Sequence, residues 1–291
     1  MSLKTAGGFE VRRATPEEFA VAVSWARDEG WNPGIADLDA FFSADPSGFL
    51  MGFADGRPVS SISVVRYGDA QGFLGFYIVH PEARGKGFGM ATWEAGMAYL
   101  ENRTVGLDGV VAQQANYTKS GFQLVGRNIR FTGVPKLTGL PGSPVTIDVA
   151  RVEHAGQIEA FDWICFGMPR PEFLKIWVFA APDTRRKTLV SVENDNVSGY
   201  ATIRKCADGF KIGPLFAPTP QAAEALFQAC CAEVEAGASV TLDVPEANRS
   251  AMMMAESAGL APVFETARMY RGPAPQLPWT SIHGVTSFEL G

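Results

Sequence analysis

The sequence predicts an α+β protein made of two tandem copies of one unit, each a mixed central sheet flanked by helices. Three observations carry this reading. The order of expected strands and helices in the first half returns in the second, with Val105-Gly106-Leu107-Asp108 echoed by Val240-Thr241-Leu242-Asp243 and Gly121-Phe122 by Gly259-Leu260. The stretch from Val134 to Pro144 concentrates prolines and glycines, the composition of a linker between two cores. The length of 291 residues exceeds what one core ordinarily supports, and each half is long enough to bury its own. The expected units are residues 1–134 and 144–291, joined by a linker at 135–143.

Each element has a local cause. Phe9 to Arg12 reads as a short strand, after which Thr15-Pro16-Glu17-Glu18 offers an N-cap, a proline at the first helical position and acids in the first turn of a helix reaching about Asp28. Gly48–Ala54 and Arg57–Val65 read as a hairpin closed by Asp55-Gly56, residues that tolerate positive φ. Phe73–Val79 is a third, apolar strand. A glycine loop follows, then a helix from about Phe88 to Asn102 with Met90, Trp93, Met97 and Leu100 at helical spacing. Val105–Val111, a short helix around Tyr117 ending at Gly121, and Val125–Phe131 complete the copy.

The second copy repeats this order. Val145–Val149 is a strand, Ala155–Cys165 a helix, Thr188–Lys205 a hairpin turning at Asn194-Asp195-Asn196, and Phe210–Phe216 a strand. Helices from Pro220 to Ala236 and Ala247 to Ala258 alternate with strands at Ser239–Val244 and Pro262–Tyr270.

Composition narrows the function classes. A hydrophobic share of 46% and a charged share of 19% describe a globular chain. The formal charge of −6 and the absence of a long Lys/Arg run argue against a nucleic-acid surface. No apolar run reaches the roughly 20 residues of a membrane helix, and no basic-then-apolar leader pattern opens the sequence, so a cytoplasmic protein with no membrane partner is expected. The four cysteines, Cys165, Cys206, Cys230 and Cys231, all fall in the second half and read as reduced thiols. No set of His, Cys and Asp has metal-ligand spacing, so no metal is expected.

The sharpest signal is Ile78-Val79-His80-Pro81-Glu82-Ala83-Arg84-Gly85-Lys86-Gly87-Phe88-Gly89-Met90, a strand delivering three alternating glycines into the start of a helix. Such a loop presents backbone N–H groups at a helix N-terminus, where phosphate oxygens bind. The spacing fits neither a P-loop, which needs Lys-Ser/Thr after four intervening residues, nor a Rossmann turn, whose third glycine position holds Met90. A tight strand-to-helix turn without a ligand is the structural alternative.

Arg84, Gly87 and Gly89 match in register the Arg/Gln-x-x-Gly-x-Gly/Ala loop that holds pyrophosphate in GNAT N-acetyltransferases, and Val79-x-Pro81 before it is usual there. The chain resembles this superfamily, and specifically tandem members with a degenerate C-terminal copy. In those the C-terminal half closes with a Gly-Val-Thr-x-Phe-Glu-Leu-Gly segment like Gly284–Gly291, and Arg268-Met269-Tyr270-Arg271-Gly272 also looks typical. The resemblance implies acetyl-CoA as co-substrate, with Ile78 and Val79 pairing to the pantetheine arm and Arg84, Gly85, Lys86, Gly87, Phe88, Gly89 and Met90 around the pyrophosphate.

Asn116-Tyr117-Thr118-Lys119-Ser120-Gly121-Phe122 looks like the family's Tyr-x-x-x-Gly-Phe segment, whose tyrosine reaches the CoA sulfur. The resemblance implies that Tyr117 is the general acid protonating the departing thiolate, as a phenol can. Asn116 is a further pantetheine candidate, although an Asn also caps short helices. A backbone N–H of Ile78 or Val79 is the expected oxyanion donor. Asp37, Tyr77 and Asp108 are conceivable bases without rank.

Trp31 and Asn32 lie where the family places its variable acceptor loop and are the candidate substrate contacts, although Trp31 could equally pin the loop to the core. In the second copy, prolines in Gly213–Ala223 remove N–H donors and Ala255 stands at the tyrosine position, so pyrophosphate should bind poorly there. That copy is expected to shape the acceptor pocket or to cover the first. The expected activity is direct acetyl transfer from acetyl-CoA to a primary amine of a small molecule in a ternary complex. A non-catalytic acetyl-CoA-binding regulator is the alternative, and turnover discriminates them.

Overall fold

A computed structural model describes residues 3–4, 8–137, 145–179 and 185–291. Positions 138–143 of the expected linker lie outside the described residues. The first half runs β1 (Leu3–Lys4), β2 (Phe9–Arg13), α1 (Pro16–Asp28), α2 (Asp37–Ala44), β3 (Phe49–Ala54), β4 (Arg57–Tyr67), β5 (Gln71–Val79), α3 (Phe88–Leu100), β6 (Thr104–Val110), α4 (Gln114–Lys119) and β7 (Gln123–Gly133). The second runs β8 (Thr146–Val149), α5 (Ala155–Phe166), α6 (Pro171–Phe179), β9 (Arg186–Glu193), β10 (Asn196–Lys205), β11 (Phe210–Phe216), α7 (Pro220–Ala232), β12 (Val240–Pro245), α8 (Arg249–Ser257), β13 (Ala261–Arg271) and β14 (Ile282–Gly284).

Local chemistry accounts for the ends of these elements. Thr15 caps α1 by accepting from Glu18 N–H while the Glu18 carboxylate accepts from Thr15 N–H, a reciprocal capping box. Asp55 (φ 50°) and Gly56 (φ 76°) turn the first hairpin, and Asn194 (φ 50°) and Asp195 (φ 63°) turn the second. α3 stops at Leu100 because Glu101 leaves helical space at φ 56°. Helices α2 and α6, not placed by the sequence reading, pack against each other, with Phe41 stacked on Trp177 at 6.0 Å.

The sheet does not divide at the linker. The described strands form one 14-stranded sheet in the order β1-β2-β3-β4-β5-β6-β13-β7-β12-β11-β10-β9-β8, with β14 added to β11. Strand β13, from the second half, is inserted between β6 and β7, while β7, from the first, lies between β13 and β12. Each copy therefore gives its last long strand to the other. The expectation that each half buries a core of its own is corrected by the same exchange. One cluster joins Phe19, Phe41 and Phe76 to Trp177, Tyr200, Phe216 and Leu290. The two flanking clusters each contain residues from a crossing strand, Phe131 in one and Ala267 and Met269 in the other.

Candidate active site

The ladder between parallel strands β5 and β6 is paired only from Gln71 to Leu74, opposite Thr104 to Leu107. Beyond Leu74 the strands separate. The far edge of β5 stays attached to β4 through Ser61↔Ile78 and Ser60↔Val79, so the near edge of Gly75–Val79 faces an opening rather than a neighbour. A bulge in the β4–β5 pairing falls at Phe76, a buried residue at φ 45° whose ring is wedged between Phe19 and Phe41. The bulge re-aims Tyr77, Ile78 and Val79 into a cavity of about 660 Å³.

The glycine loop forms the mouth of this cavity. Gly85 and Gly87 adopt φ 76° and 82°, and Gly87 is the N-cap of α3, so the amides that open the helix are not screened by side chains. Gly89 needs its missing side chain: a Cβ there would meet Val79 Cγ2 at 2.9 Å and the Tyr77 hydroxyl at 3.1 Å. The Arg84 guanidinium donates from Nε to the Val79 carbonyl and from Nη2 to Glu29, a 2.6 Å contact. Lys86 donates to the Glu82 carbonyl. These features fit a pyrophosphate: free amides, a helix dipole and two cations on one exposed turn.

Of the residues singled out in the sequence, Ile78, Val79, Arg84, Met90, Asn116, Tyr117 and Trp31 line the cavity. Gly85, Lys86, Gly87 and Gly89 are not among the lining residues but lie in the loop between two that are, Arg84 and Met90, and Phe88 stacks on Phe9 at 4.5 Å. Tyr117, on α4, packs flat against Trp93 and over Gly109, where a methyl group would collide with its ring. Its hydroxyl has no hydrogen-bond partner among the described residues. Burial, with the nearby Tyr77, pushes its pKa up to about 12, so it is held as a proton donor. Asn116 donates to Gln113 from the same helix.

The structure gives Asn32 a different place from the expected one. At φ 49°, its carboxamide donates to the Asp208 carbonyl and accepts from the Asp208 N–H, clamping the loop to the second half instead of facing the cavity. Trp31 is fixed through its carbonyl, which accepts from Arg130 and Lys211, leaving its side chain on the cavity wall. Of the conceivable bases, Asp108 is held by Arg268 through bonds of 2.9 and 2.6 Å and also accepts from Asn128. Asp37 pairs with Arg204 and caps the turn at Gly34. Tyr77 lines the cavity, its pKa raised by burial.

Four residues that sequence reasoning missed come from the second half: Phe264 and Thr266 on β13, and Phe288 and Glu289 beyond β14. They reach the first copy because β13 pairs with β6 and because the segment after Gly284 runs under β5. There the Gly75 backbone touches Glu289 so closely that a Cβ would overlap its carbonyl. Tyr67 donates to the Leu290 carbonyl and Leu290 N–H to Ser287, fixing the segment. Glu289 is 4% exposed, and its Oε1 is buried with no hydrogen-bond partner. Burial raises its pKa, opposed by Lys211 and Arg130.

The second copy opens in the same place and is filled. Strands β11 and β12 pair only from Phe210 to Ile212, yet β14 then enters the gap, pairing with Leu215 and Phe216 while Val285 N–H donates to the Asp243 carbonyl on β12. Gly284 permits this, since a Cβ would strike Leu242. In this copy, besides the prolines and Ala255 buried where a tyrosine would stand, β14 closes the gap in which weak binding was expected. Among the described residues no group of three His, Cys, Asp or Glu could hold a metal ion, and no helix is long and apolar enough to cross a membrane.

Residues 12–122 match the Acetyltransferase (GNAT) family and residues 158–284 an Acetyltransferase (GNAT) domain. Holothin acyltransferase from Pseudoalteromonas sp. (strain SANK 73390) is 34% identical over 278 residues, covering 96% of this chain and 93% of its own length. A proposed acetyltransferase from Pyrococcus horikoshii shares the fold with a TM-score of 0.82 at 19% identity, over 99% of this chain and 98% of that one. A tandem GNAT protein from the clavulanic acid biosynthesis pathway does so with a TM-score of 0.63 at 13% identity, over 91% and 99%.

Proposed function

Because this chain belongs to the GNAT family of acyltransferases, as a tandem member, we propose that it transfers an acetyl group from acetyl-CoA directly to a primary amine of a small molecule. The observation that carries this is the cavity where β5 leaves β6, with the glycine loop at its mouth and Tyr117 on its wall. We assign the chemistry to the N-terminal copy, residues 1–134, completed by side chains of the copy at 144–291. The pyrophosphate sits on the amides of Gly85–Gly89 with Arg84 and Lys86, and the pantetheine arm adds to the open edge of β5 at Ile78 and Val79, with Asn116 opposite. An N–H on that edge receives the thioester oxygen as it gains charge. The amine attacks, the C–S bond breaks, and Tyr117 supplies a proton to the sulfur.

The cavity extends past β5 to Trp31, Phe264 and Phe288, which is why both substrates are placed in it together and no acyl-enzyme is invoked. The described cysteines, all in the second half, are buried. The relative named for acylating holothin supports a small-molecule acceptor over a protein one. The test is free-thiol release from acetyl-CoA against amino acids, polyamines, amino sugars and lysine peptides, with Tyr117→Phe alongside. Amine-dependent release that drops at least roughly tenfold in the variant is expected. A wild-type chain that does not bind acetyl-CoA overturns the reading.

A further inference from the structure

Glu289 is the one carboxylate lining the cavity, among the described residues, that combines near-complete burial with an oxygen lacking any partner. Asp108, the other buried acid there, is spent on Arg268, Asn128 and Thr266. A buried carboxylate without a donor is costly, and a ligand in the cavity that Glu289 lines can supply one to it. Its backbone is not free to withdraw, because Gly75 and Leu290 pin the segment on either side of the side chain.

We propose that Glu289 receives the ammonium group of the acceptor and removes its proton, within a compartment whose Trp31, Phe264 and Phe288 walls fit a primary amine carried on a compact aromatic or apolar body. This rests on the transferase reading above and gives it the base it lacked. The step balances as follows. The acceptor enters as R–NH3+ and Glu289 takes one proton, leaving a lone pair on nitrogen. The new N–C bond forms as the C–S pair departs with sulfur, Tyr117 protonates that sulfur, and the second proton lost by nitrogen restores Tyr117. The proton on Glu289 leaves to solvent.

The surroundings of Glu289 suit this cycle. Lys211 on β11, Arg130 on β7 and Arg204 on β10 favour the ionised carboxylate, whereas burial and Asp37 on α2 favour its protonated form. Arg130 is itself neutralised by Asp243, and Arg204 by Asp37, so neither is free to close on Glu289 as a permanent ion pair. With burial as the largest influence, the Glu289 carboxylate takes up a proton more readily than an exposed one, as a base requires.

The experiment uses the full chain with phenethylamine, its neutral isostere 2-phenylethanol, and Glu289→Gln. Binding of each compound is followed by tryptophan fluorescence without acetyl-CoA, acetyl-CoA binding by calorimetry, and turnover by thiol release across pH. The expected results are phenethylamine bound at least tenfold more tightly than the alcohol, a preference abolished in Glu289→Gln, and unchanged acetyl-CoA affinity. Amine-dependent kcat/KM should fall roughly 100-fold or more, with loss of the acid limb of the pH profile. Equal binding of the two compounds by wild type overturns the inference whether or not the variant folds, as does a variant with the wild-type profile. Failure of acetyl-CoA to bind, with the ammonium preference intact, instead sinks the transferase reading and leaves Glu289 as an ammonium site.

Discussion

Arg268 on β13 faces Asp108 on β6 and donates to both carboxylate oxygens, joining the second half of the chain to the first. Arg130 on β7 does the same to Asp243 on β12, at 2.7 and 2.9 Å. The two acids are the repeated Val-x-Leu-Asp residues, so the duplicated motif marks the pair of bonds that stitch the exchanged strands. All four side chains are buried. Replacing Arg268 by Met strands a buried charge, and a loss of about 3–5 kcal/mol in denaturant unfolding is expected. Replacing Arg268 and Asp108 together by apolar residues of similar size should recover most of it.

Tyr117 should keep its proton through any practical assay. With its pKa raised to about 12 by burial and by Tyr77, the phenol is protonated at every pH below that value. Tyr117 should therefore impose no falling limb on amine-dependent kcat/KM up to about pH 10. A limb near the ordinary tyrosine value of about 10 that stays in place when acceptors of different amine pKa are compared would contradict the geometry of its pocket.

Arg84 is held by the exposed Glu29 carboxylate, which would compete with the phosphate we place there. Glu29→Gln removes that competitor, and since surface pairs contribute roughly 0.2–1 kcal/mol, acetyl-CoA affinity should rise at most about fivefold at low salt. The gain should vanish near 0.5 M salt, which calorimetry at two ionic strengths can check.

Gly75 sets the seat of Glu289. Gly75→Ala introduces a Cβ onto the Glu289 carbonyl, displacing the segment while leaving the glycine loop untouched. The amine KM should rise by about tenfold or more, with acetyl-CoA affinity within twofold of wild type; steady-state kinetics with each substrate varied separates the two.

His283 on β14 should make the fold acid-sensitive. Burial, offset only in part by the Ala217 main chain, lowers its pKa to about 4 from the ordinary 6.5. Below 6.5 the unfolded chain takes up a proton that the folded chain refuses, so this contribution is whole above pH 6.5 and is lost as pH falls toward 4. The loss reaches about 3 kcal/mol. Thermal unfolding at pH 7.5 and 5 should show a smaller drop in Tm for His283→Phe than for wild type.

The sequence displayed what is local. Arg84 to Met90 carry their geometry in their own spacing, Thr15 and Glu18 cap a helix three residues apart, and the Asp55-Gly56 turn is set by two residues. Strand exchange is not of this kind, because Arg268-Met269-Tyr270 pairs with Asp108, Leu107 and Gly106, far back in the chain, and no neighbouring residue specifies that choice. Asp108 illustrates the boundary between the two: its repetition was visible, but its salt bridge needed β13 in place before it could be told from a base. Glu289 was hidden inside a segment with no periodicity. The resemblance of Gly284–Gly291 to a family segment marked the stretch, but nothing in it said that the acid between Phe288 and Leu290 reaches the first copy.

The insertion of β13 also bears on how the molecule is made. Residues 261–271 are made long after β6, yet until they arrive β6 has a partner only on its β5 side and none on the other edge. The first copy, though translated early, must wait with an unpaired strand edge exposed, in the interval when such edges stick to other chains. Its maturation is thereby timed by synthesis of the second copy.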